Sequence, residues 1–346
     1  MGKFLADLER DMEREASRLG SERPSLDTIY LGGGTPSHLP AEDIAGLLKK
    51  CGDLFQVEPE AEITMEANPE DIAPDRAGVW RAAGVNRMSL GLQSLNDSAL
   101  APRGRAYTSG QAIEAARMAR NAGFGNLGVD LIAGLPGETV GSFLSGVERV
   151  VQEISPEHVS VYLLETADVG LMTPLTRAVA TGRTALPAEE ETVEMYVGAR
   201  DRLKGSGYRH YEISNFARPG HESRHNLKYW TSRPYLGVGP SAHSLVAGRR
   251  YEKPADMPRW ASGARSDYTL DVAQARLREA LVLQLRLLEG VDLTRFSDQW
   301  GADPAQLLSR QIQQLEADGL LVHSRGRLAL TDRGLLLSNE VFGALT

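Results

Sequence analysis

The sequence predicts an α/β chain organised as a partial, TIM-like (β/α) barrel and followed by a C-terminal winged-helix-like α+β domain. Three observations predict it. Short apolar runs alternate with amphipathic stretches at spacings of about 25 to 40 residues, which is the pattern of parallel strands joined by helical crossovers. Glycine or polar residues follow one apolar run after another. From about Asp271 the alternation gives way to helices and one short apolar hairpin.

Phe4, Leu5, Leu8, Met12, Ala16 and Leu19 recur at spacings of three and four, so the chain opens on an amphipathic helix with its acidic and basic residues on the opposite face. Thr28 to Leu31 is a short strand that ends in Gly32-Gly33-Gly34, and a helix follows from Ala41 to Leu54. The unit then repeats. Ile63 to Met65 runs into Glu66-Ala67-Asn68-Pro69 before a helix near Asp75 to Ala83, and Arg87 to Leu90 runs into Gly91-Leu92-Gln93-Ser94. Leu127 to Ile132 precedes Gly134-Leu135-Pro136-Gly137 and a helix from Val140 to Ile154; His158 to Leu164 ends at Glu165. A helix at Glu189 to Lys204 leads to a sixth strand, Tyr208 to Ile213. In the last region Leu277, Ala280, Leu281, Leu285 and Leu288 form one helical face and Leu307 to Leu315 a second; Leu320 to Leu330 reads as strand, turn, strand.

At 346 residues the chain has room for two domains at about 150 residues each. Lys and Arg total 38 against 46 for Asp and Glu, a formal charge of -8, which argues against a general nucleic-acid binder. The N-terminus mixes apolar and charged residues and so lacks the form of a signal peptide; Ala6 stands where a myristoylation site needs Ser or Thr. No stretch approaches the roughly 18 apolar residues of a membrane span. These readings predict a soluble, cytoplasmic chain. Cys51 is the one cysteine, so this chain alone supplies neither a disulfide nor a thiolate-built zinc or iron-sulfur site.

In a barrel of parallel strands the chemistry sits at the carboxyl ends of the strands. Those ends present Gly32 to Thr35, Glu66, Gln93, Asp130 and Glu165, so polar groups from separate strands are expected to converge on one cleft. A glycine run lets backbone approach a ligand closely, although a tight turn alone would also explain it. Glu66 and Gln93 would equally serve as satisfied polar residues at a rim.

As a set, GGGTP at Gly32 to Pro36, EANP at Glu66 to Pro69, SLGLQS at Ser89 to Ser94 and DLIAGLPGET at Asp130 to Thr139 resemble the S-adenosylmethionine (SAM)-binding strand ends of radical SAM enzymes, most of all the coproporphyrinogen dehydrogenase group. The resemblance implies SAM contacts from Gly33, Gly34, Thr35, Glu66, Gln93, Arg105 and Asp130. The segment around Arg105 departs from the family's usual GRxHT by carrying Tyr107. Tyr211 to His221 leads into His225-Asn226-Leu227-Lys228-Tyr229-Trp230, which resembles the HNxxYW segment of the heme chaperones named HemW. With Leu236 to Gly239, Ser241 to Ser244 and the C-terminal module, the resemblance covers essentially the whole chain. It implies heme contacts from His225, Asn226, Tyr229 and Trp230, with His225 as the leading iron ligand and His221 and His243 as alternatives. Heme needs an axial donor and an apolar or aromatic surface, and a His beside Tyr and Trp offers both.

The family's CxxxCxxC loop, which binds the irons of a [4Fe-4S] cluster, is absent from this chain. In the family it follows the first barrel strand, upstream of the helix that begins here. The partial barrel is therefore expected to lack its first strand, leaving an unpaired edge beside Thr28 to Leu31. Two explanations stand: an internal start at Met1 within a longer reading frame, or a natural loss of the cluster. The first is preferred because the SAM-binding strand ends still match. Translating the DNA upstream of Met1 decides between them. The expected division is 1–215 for the radical SAM partial barrel, 216–270 for the heme-motif connection and barrel extension, and 271–346 for the winged-helix-like domain.

The expected function is a heme chaperone that passes heme to acceptor proteins, membrane-associated ones included, from the cytoplasm or the inner face of the membrane; a homodimer is compatible with it. The alternative is oxygen-independent coproporphyrinogen III oxidase in a full-length, cluster-bearing protein. The 346-residue chain itself is expected to cleave no SAM and decarboxylate nothing. A third reading, a DNA-binding regulator using Arg325 and Arg327 on the wing, is disfavoured by the chain's acidity.

Overall fold

Period-two alternation along the first five strands separates an apolar face from a polar one, and that separation organises the barrel. The computed structural model describes residues 2–20, 23–100, 107–165, 174–268 and 273–346. Helix α1 (Gly2–Arg18) precedes strand β1 (Ser25–Leu31), followed by α2 (Ala41–Leu54), β2 (Gln56–Ala67), α3 (Pro74–Ala82) and β3 (Arg87–Gln93). α4 (Asp97–Leu100) and α5 (Ser109–Asn121) lead to β4 (Leu127–Ala133), then α6 (Val140–Arg149) and β5 (His158–Leu163). α7 (Pro174–Ala180) and α8 (Glu189–Gly205) precede the hairpin β6 (Arg209–Glu212) and β7 (Asn215–Ala217).

β1 to β5 are parallel neighbours in a seven-stranded sheet of order β1-β2-β3-β4-β5-β7-β6, curled as a half-barrel. Met65, Met88, Leu90, Leu92, Leu127, Val129, Leu131, Val159 and Val161 point outward into the main core with the helices that cover it. The intervening residues, among them Thr28, Tyr30, Glu62, Thr64, Glu66, Arg87, Ser89, Asp130, His158 and Ser160, line the inner face. The expected sixth strand forms as β6 but does not lie next to β5. Instead β7 pairs antiparallel with both β5 and β6, so β6 keeps the parallel direction but stands one place further out. The helix expected at 140–154 changes at Val150 into a π-helical segment ending at Ile154.

The polar face of α1 is also not what periodicity predicts. Asp7, Asp11 and Glu15 are buried, because that face packs on another element and not on water. After α9 (Arg224–Trp230), strands β8 (His243–Val246) and β9 (Arg249–Glu252), helix α10 (Met257–Ala261) and strand β10 (Ser266–Tyr268) form a small unit with an antiparallel sheet of order β10-β9-β8. Its Lys253 and Trp260 side chains and the Gly239 amide all donate to Asp11 Oδ2, at 2.6, 2.9 and 3.0 Å. Tyr251 donates to Glu15 at 2.7 Å. The carboxylates are thus paired, which is the condition for burying them.

The C-terminal module contains α11 (Ala273–Leu285), β11 (Val291–Asp292), α12 (Leu293–Trp300), α13 (Pro304–Leu307), α14 (Ser309–Ala317), β12 (Leu321–Ser324), β13 (Arg327–Leu330), α15 (Asp332–Leu336) and α16 (Ser338–Leu345). Its own core gathers Leu277, Ala280, Leu281, Leu285, Phe296, Ile312, Leu328 and Val341 beneath a sheet of order β11-β13-β12. This is the expected arrangement of helices and wing. Leu288 leaves the helical face assigned to it: α11 ends at Leu285, and Leu288 packs on the barrel core while its amide donates to the Tyr211 carbonyl at 3.1 Å.

Candidate functional site

The carboxyl ends of the strands carry the first group of expected residues. Gly32 stands at the end of β1, where a Cβ would come within 2.5 Å of the Tyr30 ring and 2.9 Å of the Glu66 carboxylate. Its lack of a side chain lets those two meet: Tyr30 donates to Glu66 Oε1 at 2.7 Å. Gly33 follows with φ +78, a left-handed conformation that glycine adopts without strain, and has open space where a Cβ would project. Its amide reaches the same Glu66 carboxylate. Gly34 is exposed and Thr35 half-buried beside it. Burial, reinforced by the negative charge of Asp130, raises the Glu66 carboxyl above its ordinary range despite the Tyr30 hydrogen bond.

Gln93 ends β3 at φ +62, unusual for a residue other than glycine, at the point where the register with β4 slips. Such strained backbone persists only where its surroundings hold it. Tyr107 supplies part of that hold: it is buried, and its hydroxyl lies 3.0 Å from both the Gly91 and Leu92 carbonyls. The residue that departs from the family pattern therefore pins the end of β3. Asp130, midway along β4, accepts from Ser89 Oγ at 3.0 Å and from Ser160, and burial raises its carboxyl. Glu66, Gln93, Asp130 and the glycine run thus line the inner face and rim of one sheet. Arg105 lies outside the described residues. Glu165 is exposed just beyond β5.

The second group sits on α9, which packs against β1. Ser223 caps this helix by accepting from the Asn226 amide at 3.3 Å. Glu62, on the inner face of β2, accepts from the Arg224 and His225 amides at 3.1 and 3.0 Å, one on each carboxylate oxygen. Lys228 is buried and donates to Asp27 at 2.5 Å. These contacts set the His225 imidazole against the sheet. Its Nδ1 lies 2.9 Å from Thr28 Oγ1 and its Nε2 lies 2.8 Å from the Tyr229 hydroxyl. The ring stacks on Tyr30 at 5.1 Å between centroids. Burial, with the Lys228 charge second, lowers the imidazole to about 4, so it is neutral at physiological pH.

Aromatic rings continue outward from there. Tyr229 meets Tyr235 edge-on at 4.6 Å and Trp230 at 6.4 Å, and the Arg286 guanidinium lies 4.3 Å over the Trp230 ring. Among the described residues, the buried Trp230 Nε1 finds no hydrogen-bond partner. Asn226 is half-buried on the same helix. The alternative histidines stand elsewhere: His221 is in the turn after β7, and His243 begins β8 with Nε2 3.8 Å from Glu252. Among the described residues, the candidates of the two groups therefore meet on one face of the sheet, with Tyr30 touching both Glu66 and His225.

Sequence reasoning missed Thr28, Tyr30 and Glu62, which hold the His225 ring and its helix. All three occupy inward positions of their strands, so alternation marks them as polar on a polar face. It does not mark their partner, which lies 163 residues beyond Glu62. Cys51 is half-buried in α2, and burial pushes its thiol up to about 11, which suits a structural residue.

Residues 2–149 match the Radical SAM superfamily and residues 273–337 match the HemN C-terminal domain. A heme chaperone HemW of Lactococcus lactis subsp. lactis is 35% identical over 325 residues, covering 93% of this chain and 85% of that protein. A heme chaperone HemW of Bacillus subtilis is 33% identical over 349 residues, covering 99% of this chain and 90% of that protein. Among solved structures, the coproporphyrinogen III oxidase (HemN) of Escherichia coli, a radical SAM enzyme, superposes with a TM-score of 0.84 at 24% identity. That alignment covers 99% of this chain and 82% of the oxidase, and it shows a shared fold.

Proposed function

The chain belongs to the HemW family of radical SAM proteins, and from that premise we propose that it binds heme and passes it to acceptor proteins. The observation that carries the reading is the neutral His225 imidazole set among Tyr30, Tyr229, Tyr235 and Trp230 at the edge of the concave face. His225 is the proposed iron ligand, and Asn226, Tyr229 and Trp230 contact the macrocycle. A neutral imidazole keeps the lone pair that iron takes, and aromatic rings offer the broad apolar surface a porphyrin needs. The acceptors include membrane-associated proteins, met by a cytoplasmic chain at the inner membrane face, and a homodimer is compatible with this role. Among the described residues no helix is long and apolar enough to cross a membrane.

Gly33, Gly34, Thr35, Glu66, Gln93, Arg105 and Asp130 are the residues proposed to hold SAM. The donor set suits it: open backbone at Gly33, a carboxylate at Glu66 for an ammonium or hydroxyl, and an arginine at 105 for a carboxylate. When bound, SAM supplies a sulfonium carrying an adenosyl group. The residues of this chain do not fit an iron-sulfur cluster, because its single thiol, Cys51, is in a helix and half-buried, so no step is routed through one; the cluster is expected only in a longer form of the protein. On the wing, Arg327 is committed to Asp292 and to the Glu289 carbonyl, which supports a packing role for the C-terminal module over DNA contact.

Titration with hemin tests the proposal. The chain is expected to shift the Soret band, and His225→Ala to weaken binding, while His221→Ala and His243→Ala leave it unchanged. An unaltered spectrum and affinity in His225→Ala would remove His225 from the ligand role. Transfer from the loaded chain to a heme-free acceptor tests delivery.

A further inference from the structure

Both ring nitrogens of His225 are occupied by hydroxyls, and the two hydroxyls differ. Thr28 is buried and belongs to a strand, whereas Tyr229 is half-buried and lies one turn further along the same helix as His225. A neutral imidazole has one N–H and one bare nitrogen, so one hydroxyl accepts from it and the other donates to it. A phenol is the stronger donor and an aliphatic hydroxyl the stronger acceptor. Tyr229 therefore donates to Nε2, and Nδ1–H donates to Thr28 Oγ1.

We propose that Thr28 is the positioning residue of the iron ligand and Tyr229 its gate: Nδ1–H stays on Thr28, and Nε2 becomes the donor once the Tyr229 hydroxyl swings away. This deepens the heme-binding reading and rests on it. A metal-ligating histidine generally donates its other ring N–H to a fixed partner, which sets the tautomer and ring orientation. Thr28 fits that role because the neighbouring strand β2 holds it: Thr28 pairs in register with Glu62, and Glu62 in turn caps α9. Tyr229 fits the gate because it is the less buried of the two hydroxyl residues and belongs to the helix, not to the sheet. The iron–nitrogen bond replaces one hydrogen bond, and no proton leaves the imidazole.

The two deletions on one imidazole are thus expected to act in opposite senses. Stopped-flow mixing of hemin with Tyr229→Phe should give association about three- to ten-fold faster than the parent, the factor one deleted hydrogen bond supplies. Thr28→Val should release heme to an excess acceptor about three- to ten-fold faster and shift the heme reduction potential upward, and Thr28→Ser should restore both. Slower association in Tyr229→Phe, or Thr28→Val and Thr28→Ser indistinguishable from the parent in release and potential, would overturn the assignment. The heme-free chain carries its own test through the ¹⁵N shifts of the His225 ring. A protonated Nδ1 and a bare Nε2 are expected, and the reverse tautomer would refute the roles whether or not hemin binds. Parent protein that shows this tautomer but no Soret shift would instead count against the heme reading itself, and the gate would fall with it.

Discussion

Asp11→Ala is expected to be among the most damaging single substitutions outside the sheet. Asp11 and Lys253 are 2% and 3% exposed, and their ion pair is 2.6 Å long. Removing one member of a buried pair costs about 3–5 kcal/mol, because the other charge is left in a low-dielectric interior. Here the same carboxylate oxygen also takes the Trp260 indole and the Gly239 amide, while Arg14 approaches the other oxygen at 3.4 Å. Each buried donor left unmatched adds about 1–3 kcal/mol, less where Glu15, 3.4 Å from Lys253, takes up part of the load. A total loss of at least about 4 kcal/mol follows. The double variant Asp11→Leu with Lys253→Met should cost less than either single change, because no orphan charge remains. Urea unfolding followed by tryptophan emission reads the effect as a fall in midpoint at unchanged slope. The pH dependence gives a second reading. Burial works against the Asp11 carboxylate, but Lys253, Gly239 and Trp260 more than offset it and hold the group below its ordinary value. The contribution is therefore fully present above about pH 4 and is lost as pH falls below it. A loss under about 1 kcal/mol for Asp11→Ala, or a double variant equal to the sum of the singles, would refute this reasoning.

Two further predictions concern the concave face. Glu62→Gln replaces one carboxylate oxygen with a donor facing an amide N–H, so the first turn of α9 loosens by about 1.5–3 kcal/mol; faster hydrogen exchange at Arg224 and His225 is the readout, and unchanged exchange would deny Glu62 this role. Glu66 carries the opposite pH sign from Asp11. Burial and then Asp130 raise its carboxyl, so the native state binds the extra proton and stability falls as pH rises from its ordinary value through the raised one. Glu66→Gln should accordingly raise the unfolding midpoint at pH 7 and leave it unchanged at pH 4; equal shifts at both would exclude the electrostatic cause.

Much of this architecture is legible in the chain because two periods dominate it. Leu127, Val129 and Leu131 announce a strand whose intervening Gly128 and Asp130 face the other way, and the glycines after Leu31 mark the open turn at the end of β1. What escapes is whatever depends on a partner distant in sequence. Asp7, Asp11 and Glu15 fall on a polar helix face, and periodicity alone cannot tell water from Lys253. β7 is only three residues long, too short for alternation to register, yet it reverses the order of the last strands. Thr28 and Glu62 look like ordinary inward polar residues until α9 is seen resting on them. The HNxxYW segment was legible as a unit; the hydroxyl on each nitrogen of its histidine was not.

The joint between barrel and C-terminal module is written in main chain. The Ile213 amide donates to the Arg286 carbonyl and the Leu288 amide to the Tyr211 carbonyl, each at 3.1 Å, so a few residues after α11 pair with β6 as a strand would. Side-chain replacement at these positions leaves both bonds in place, with one exception: proline at Ile213 or Leu288 removes a donor. The main-chain part of the joint therefore forbids one residue type at these two positions, whatever else the side chains contribute. Arg286, whose carbonyl is held in this joint, carries its guanidinium from there to the Trp230 ring.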